Sequence, residues 1–385
     1  CMFSGGTGTQ ADPYLIATAE DLNNVRYEFG SHFLQIADID LSIYENWEPI
    51  GMYGDPFIGE YNGNNFNVTN LTIYRETENY VGLFGFVLGK IKNCNVSGIV
   101  YGKDVVGGLI GGISPFSDMN NILENCSFCG NVKGMTYVGG LVGIAYYRIL
   151  NCYTNADVIA DVIGGGLIGL LDCWYLSKMQ NNYKPIAQCC SYSIVTGGAY
   201  IGGLVGNIIN SKDGAIENCY SFGGIYFDSI SKSGFGVVLR SGGLIGRFHG
   251  ISMIKNCYSK AYISAPSDLI NFGRGLVGNY EGGYAQNCYH QAMDDEFSTL
   301  KTSVELKQQS TFEDWDFDTI WGIEPNINDG YPYLKWQSLQ PSDSNVYVKT
   351  SPTTIKKAIK TCIIDTPTTV KEIKKLNIIT DTGLK

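Results

Sequence analysis

The sequence predicts an all-β fold, a right-handed parallel β-helix (solenoid), and three observations predict it. A tetrad of glycine, leucine, an apolar residue and glycine occurs seven times between Gly82 and Gly278. A cysteine, usually preceded by asparagine, follows every tetrad. Between these marks lie short runs such as Val96 to Val100 and Tyr153 to Ile159, rich in β-branched and aromatic residues and alternating in polarity, which is how strands read. Helical apolar spacing is absent from the repeat, which removes helical solenoids, and the period is too short and uneven for four-stranded blades.

Taken in chain order, the first element is an N-terminal capping helix. Thr18 is a good N-cap, Asp21 occupies the third helical position, and Leu22 and Val25 share one face, so a short amphipathic helix covers the first coil. Asp38 to Leu41 and Phe57 to Leu71 supply first, less regular coils, which places residues 1–78 as cap and entry.

Residues 79–292 form the repeat body. From Cys94, Cys126, Cys152 and Cys189 to the next tetrad is 14 residues each time, and the later gaps of 24 and 18 are the same segment with insertions. From tetrad leucine to following cysteine the count runs 11, 17, 11, 22, 15, 13 and 12. The constant part reads as scaffold and the variable part as display. Each repeat makes one coil of two or three strands, stacked on its neighbours at about 4.8 Å. The tetrad glycines suit a sharp corner where φ can turn positive and backbones press together. Leu83, Leu109, Leu141, Leu167, Leu204, Leu244 and Leu276 form an inward ladder, and Cys94, Cys126, Cys152, Cys189, Cys219, Cys257 and Cys288 a second one. The neighbouring asparagines suit a turn or a stacked amide ladder.

Residues 293–336 read as a C-terminal cap, with a short helix over Thr302 to Gln309 and the rings of Trp315, Phe317, Trp321, Tyr331, Tyr333 and Trp336 plugging the open end. A linker follows at 337–345. Residues 345–385 hold 8 Lys against 3 acidic residues, a balance of +5 within a chain of net charge −10, so the preceding part carries −15. That break marks a separate unit at 346–385, a basic Lys/Thr-rich β-hairpin repeat of 15 residues seen in Thr353 to Pro367 and again in Thr368 to Thr382.

The tetrads of the body resemble the GLUG motif, named for its Gly-Leu-apolar-Gly core. That motif is found in bacterial surface proteins, in segments beside IgA-specific metallopeptidases and in phage-encoded tail proteins. Gly8 to Ile16 followed by Thr18 to Leu22 resembles the usual opening of such regions, and Trp315 to Gly322 with Gly330 to Leu334 the usual close. The resemblance covers residues 3 to 336 and implies the fold; the shared residues are structural and imply no activity.

Several function classes lose support from composition and motif. The longest apolar stretch, Val162 to Leu171, is too short to span a bilayer. Cys1 fits either a lipidated first residue or a fragment boundary. Seven of the twelve cysteines share one repeat register and read as buried free thiols, since parallel in-register side chains seldom reach disulfide geometry, and buried thiols suit assembly in a reducing compartment. Cys126 and Cys129 have redox-motif spacing without the helix N-terminus that would activate them. Finger-type Cys and His pairs are missing, so the reading includes no metal and no cofactor. Nothing points to nucleic acid.

Catalysis by carboxylates has candidates in Asp38, Asp40, Asp294, Asp295 and Glu296, but a glycosidase needs two carboxylates facing one groove, and no catalytic residue is assigned. His32, His249 and His290 are scattered and form no zinc-protease motif.

Recognition is the favoured reading. The variable segments present Phe116, Tyr146, Tyr147, Trp174, Tyr175, Tyr183, His249, Tyr280 and Tyr284, and the insertion Phe222 to Ser241 is a second candidate. Such loops on a rigid scaffold give one aromatic face for sugar rings or a protein receptor. The expected role is a non-enzymatic attachment or display module on a bacterial cell surface or phage tail, binding a surface polysaccharide or protein receptor. A polysaccharide-degrading enzyme is the first alternative. A structural spacer, self-assembling or joined to phage or surface structural proteins, is the second.

Overall fold

The computed structural model describes residues 2–114, 122–174, 185–211, 214, 216–227, 240–264, 273–291, 293 and 295–339. It is a parallel β-helix. Each regular coil carries four strand segments, where two or three were expected: Lys90–Lys92, Asn95–Tyr101, Val105–Gly107 and Ile110–Ile113 make one coil, and Ile122–Glu124 opens the next. Equivalent segments pair in parallel and in register, Ile91 with Leu123, Val96 with Phe128, Val105 with Tyr137, and Phe84 with Ile110. Among the described residues these stacks form sheets of 10, 13, 6 and 7 strands, called here faces one to four in chain order.

The fourth segment exists because the 14-residue scaffold part folds twice. It runs along face two, turns, and adds three residues of face three before the tetrad leads into face four. The tetrad leucines lie inside, fully buried, in one continuous core that runs from Phe3 to Phe297.

Left-handed backbone falls on the asparagines, not on the tetrad glycines. Asn93, Asn125 and Asn151 have φ of 52°, as does Gln188, while no tetrad glycine has positive φ. Asparagine tolerates this region because its short amide bonds locally. Those amides also bond between coils: Asn125 Nδ2 donates to Asn93 Oδ1 at 3.0 Å, and Asn93 Nδ2 to Asn62 Oδ1 at 2.9 Å. The glycines answer to the other half of the expectation, close approach. A Cβ on Gly111 would stand 2.4 Å from the carbonyl carbon of Tyr80 in the coil before, so any side chain there would force faces three and four apart.

The seven ladder cysteines are buried free thiols. Each of three neighbours repeats one pattern: the amides of Cys126, Cys152 and Cys189 donate to the sulfur one coil on, at 3.4, 3.4 and 3.3 Å. The same three thiols donate to carbonyls two residues back, at 3.2 Å. Burial pushes the Cys94, Cys152, Cys219 and Cys288 thiols well above the ordinary thiol range.

The N-terminal helix spans Ala19–Asn24 and begins with a capping box between Thr18 and Asp21. At the far end the stack of tetrads stops on a carboxylate. In earlier coils the amides of Leu244 and Ile245 donate to the Leu276 carbonyl. For the last tetrad, Asp295 Oδ2 takes that place, accepting from Leu276 and Val277 at 2.5 and 3.1 Å.

The aromatic C-terminal segment does not plug the end. It lies along the outside of face two. There the residue after each ladder cysteine points outward, giving the column Tyr153, Cys190, Tyr220, Tyr258, Tyr289. Trp315, Trp321, Phe312, Tyr331 and Leu334 pack on that column as a second hydrophobic cluster. Indole donors fasten it across coils: Trp336 to the Gln188 carbonyl at 3.0 Å, Trp321 to Asn218 Oδ1 at 3.1 Å and Trp315 to the Asn287 carbonyl at 2.9 Å. A plug would touch one coil, whereas these rings run from the coil of Gln188 to that of Asn287. Gln337, expected to begin a linker, is buried and bonds Tyr220 and Cys190. Thr302 to Gln309 forms 3-10 turns at Glu305–Lys307 and Gln309–Thr311, separated by extended Gln308, in place of a helix. The linker beyond Leu339 and the basic repeat lie outside the described residues.

Candidate functional site

Outward side chains normally diverge around a solenoid corner. Between faces three and four they converge. Val105 of face three and Ile144 and Leu170 of face four pack as one buried outer cluster, joined by the half-buried Tyr80, Tyr137, Tyr146 and Ile209. The corner is therefore re-entrant, a groove that follows the stacking direction of the coils. The tight glycine contact that brings the tetrad onto the preceding face-three strand produces this concavity.

Along face three the outward positions run Val105, Tyr137, Ile163, Tyr200, Arg240 in paired register, with Tyr80 one residue before Val81, the bridge partner of Val106. From Tyr80 to Tyr200 tyrosine and aliphatic residues thus alternate coil by coil, and Arg240 ends the alternation. Gly112 makes room for the first ring, since a Cβ there would stand 2.8 Å from Tyr80 Cδ1. Tyr53, 68% exposed, stacks on Tyr80 with centroids 5.3 Å apart and extends the platform outward.

The opposite wall is face four. Its outward register reads Phe86, Gly112, Ile144, Leu170, Asn207, Arg247, Asn279, apolar first and polar later. Arg247 lies over the Tyr200 ring at 5.3 Å and donates to Glu281 at 2.8 Å. That bond holds the Glu281 carboxyl below the usual carboxylate range. Asn207 is 6% exposed, and its Oδ1 has no hydrogen-bond partner among the described residues, an arrangement that normally costs stability unless something else supplies a donor. Asp172 accepts from Asn210 Nδ2 at 2.9 Å nearby. Burial, helped by Asp172 and the neighbouring tyrosines, pushes the Tyr146 hydroxyl up to about 12.

The residues expected to form one display face separate into several places. Tyr146 enters the groove. Tyr147 turns inward, 2% exposed, and its hydroxyl donates to the Gly89 carbonyl; adjacent residues leaving face four point to opposite sides. Trp174 is half-exposed beside Asp172, whose carboxylate accepts its amide at 3.0 Å. His249 lies 3.7 Å from Glu281 at the polar end. Tyr280 packs on Phe297, and Tyr284 is 58% exposed on face one. Phe116, Tyr175, Tyr183 and most of the insertion after Phe227 lie outside the described residues. Tyr53, Tyr80, Tyr137, Tyr200, Asn207 and Arg247 are the groove residues that loop variability did not reveal. For Tyr80, Tyr137 and Tyr200 the signal is a tyrosine and an apolar residue before a glycine, in Tyr80 to Gly82, Tyr137 to Gly139 and Tyr200 to Gly202.

The carboxylates weighed for catalysis have local duties. Asp38 accepts the Asn67 amide at 2.7 Å, and Asp40 accepts from Asn70 and Ser42, which lowers its pKa. Asp295 ends the tetrad stack, Glu296 lies 3.5 Å from the Tyr280 hydroxyl, and Asp294 is outside the described residues. Buried His290 shares a hydrogen bond with Ser298. Among the described residues no cluster of three or more His, Cys, Asp and Glu could hold a metal, and no helix is long and apolar enough to cross a membrane.

No family model matches the chain. A protein from Evansella cellulosilytica named "Putative Gly-rich membrane protein" is 31% identical over 406 residues, covering 86% of this chain and 45% of that protein. The chain thus spans less than half the length of this relative. Halomucin of Haloquadratum walsbyi is 38% identical over 91 residues, covering 21% of this chain and 1% of halomucin. Among solved structures, a Bacteroides ovatus protein described as a "putative immunoglobulin A1 protease" superposes with a TM-score of 0.52 at 21% identity, over 87% of this chain and 96% of that one. At that identity the likeness concerns the fold.

Proposed function

We propose that this chain is a non-enzymatic binding module of a cell-surface protein, and that the groove between faces three and four holds its ligand. One observation carries the reading: tyrosines recur at the rim of a single concave surface crossing several coils. A rigid stack of backbone-paired coils keeps those rings in fixed register, so binding requires little ordering of the protein. The relative named as a Gly-rich membrane protein favours a cell-surface setting over a phage tail.

The test is retention of the purified protein on intact bacterial cells and on isolated envelope polysaccharide, with parallel measurement of shortened glycan in the supernatant. Retention without shortening, reduced in a Tyr137→Ala, Tyr146→Ala double variant that keeps its β-rich circular dichroism, is the expected result. Release of shortened glycan would make the chain a depolymerase. Retention untouched by the double variant would move the site elsewhere.

A further inference from the structure

Alternation within the groove narrows the chemistry of its occupant. Tyr80, Tyr137 and Tyr200 belong to every second coil, with Val105 and Ile163 between them. Parallel strands lie about 4.8 Å apart, so successive tyrosines stand about 10 Å apart along the stack. An extended β-1,4-linked glycan turns each sugar over relative to the last, so the same ring face returns once per disaccharide, at a comparable length. Few other polymers present a flat apolar face at that interval.

Two further features agree with a sugar chain. The partnerless Asn207 Oδ1 lies in the same wall, buried between Leu170 and Arg247 in register, and a hydroxyl or N-acetyl donor would satisfy it. Charge favours a neutral polymer: the chain carries −10 overall, and Arg247 is already engaged by Glu281. Resting on the proposed binding role, we infer that the groove takes a neutral, extended β-1,4-linked glycan laid along the coil stack, one disaccharide to two coils. Tyr137, Tyr80 with Tyr53 stacked on one face and Tyr200 with Arg247 over one face are the aromatic contacts, and Asn207 is the polar anchor.

Titration calorimetry with chito-oligosaccharides of increasing length tests this directly. Affinity should rise in steps, about threefold to tenfold for each whole disaccharide until three are bound, with little change at odd lengths. Tyr137→Leu, which keeps apolar bulk while removing the ring, should erase one step, and Tyr262→Ala on face two should leave the series intact. Maltohexaose, coiled by its α-linkages, should not compete. A smooth rise per single sugar, equal competition by maltohexaose, or no binding of any chito-oligosaccharide would overturn the inference. In the last case, retention on envelope polysaccharide that still depends on Tyr137 would leave the binding role standing with another ligand. Retention indifferent to Tyr137 would overturn both.

Discussion

On face two, Tyr220 and Tyr258 stack at 5.2 Å and are fully buried, with Trp321 about equally close to both, at 6.0 and 6.1 Å. On face three, Tyr137 and Tyr200 occupy the same kind of outward, coil-repeated position, yet remain half-exposed. Both columns are built by one rule, an aromatic at a fixed place in the repeat. They differ in what covers them. The chain's own segment from Thr302 to Gln337 fills the first, and the Trp321, Tyr258 and Tyr220 donors are each paired to a named partner. The second keeps a buried acceptor at Asn207 without one, as the asparagine ladder beside the first does at Asn256. On the proposed reading, the first column is finished as structure and the second is left open for an occupant.

Removing the covering ring should break the contrast most strongly. Trp321→Ala deletes a fully buried side chain and its bond to Asn218, a loss on the order of 3–5 kcal/mol. Proteolysis should then release the segment after Thr302 while the coils stay resistant. A variant as resistant as the parent would mean that the aromatic cover is not what holds this segment.

Alkaline pH should act on the same face next. Burial raises Tyr192, Tyr220 and Tyr258 above the ordinary tyrosine value of 10.0. The folded state therefore holds these protons more tightly than the unfolded state. Their contribution is complete below pH 10 and is lost as pH rises beyond it, by up to about 1.4 kcal/mol per pH unit for each group. Tyr146 should ionise late as well, near 12, without detaching anything. Tyrosinate absorbance followed together with tryptophan fluorescence checks this. Full ionisation near pH 10 with no fluorescence change would contradict it.

The asparagine column offers a smaller, sharper comparison. Asn218 is buried under the covering segment and accepts from Trp321, whereas Asn125 bonds only along its own ladder. Both have positive φ, so glycine keeps the backbone relaxed and removes only the amide. Asn218→Gly should cost about 1 kcal/mol more than Asn125→Gly, because it leaves the buried Trp321 donor without a partner, seen as a lower thermal midpoint. Equal midpoints would mean the indole bond contributes nothing. The smallest effect belongs to Tyr262→Ala, 63% exposed on face two, where stability should move by no more than about 0.5 kcal/mol.

The stacking direction, the inward leucines and the thiol column could be read from the repeat, because burial and register impose the same residue on every coil. Face three is not legible in the sequence because its three-residue strands are too short to show alternation. The groove is hidden for a related reason. Constant spacing reads as scaffold, yet a constant segment can also carry outward rings, as Tyr137 and Tyr200 do. Tyr147 shows the converse, since loop membership does not decide which side of the wall a side chain takes. The cover on face two was legible as an aromatic cluster, but its docking place required the tyrosine column, which forms only when the coils stack.

The most direct measurement is tyrosine modification by N-acetylimidazole, mapped by mass spectrometry on the free protein and on protein retained by envelope polysaccharide. Tyr220 and Tyr258 should stay unmodified in both states, while Tyr53, Tyr137 and Tyr200 should react when free and be protected when bound. Protection at Tyr226, Tyr262 or Tyr284, with the groove tyrosines still reacting, would contradict the account.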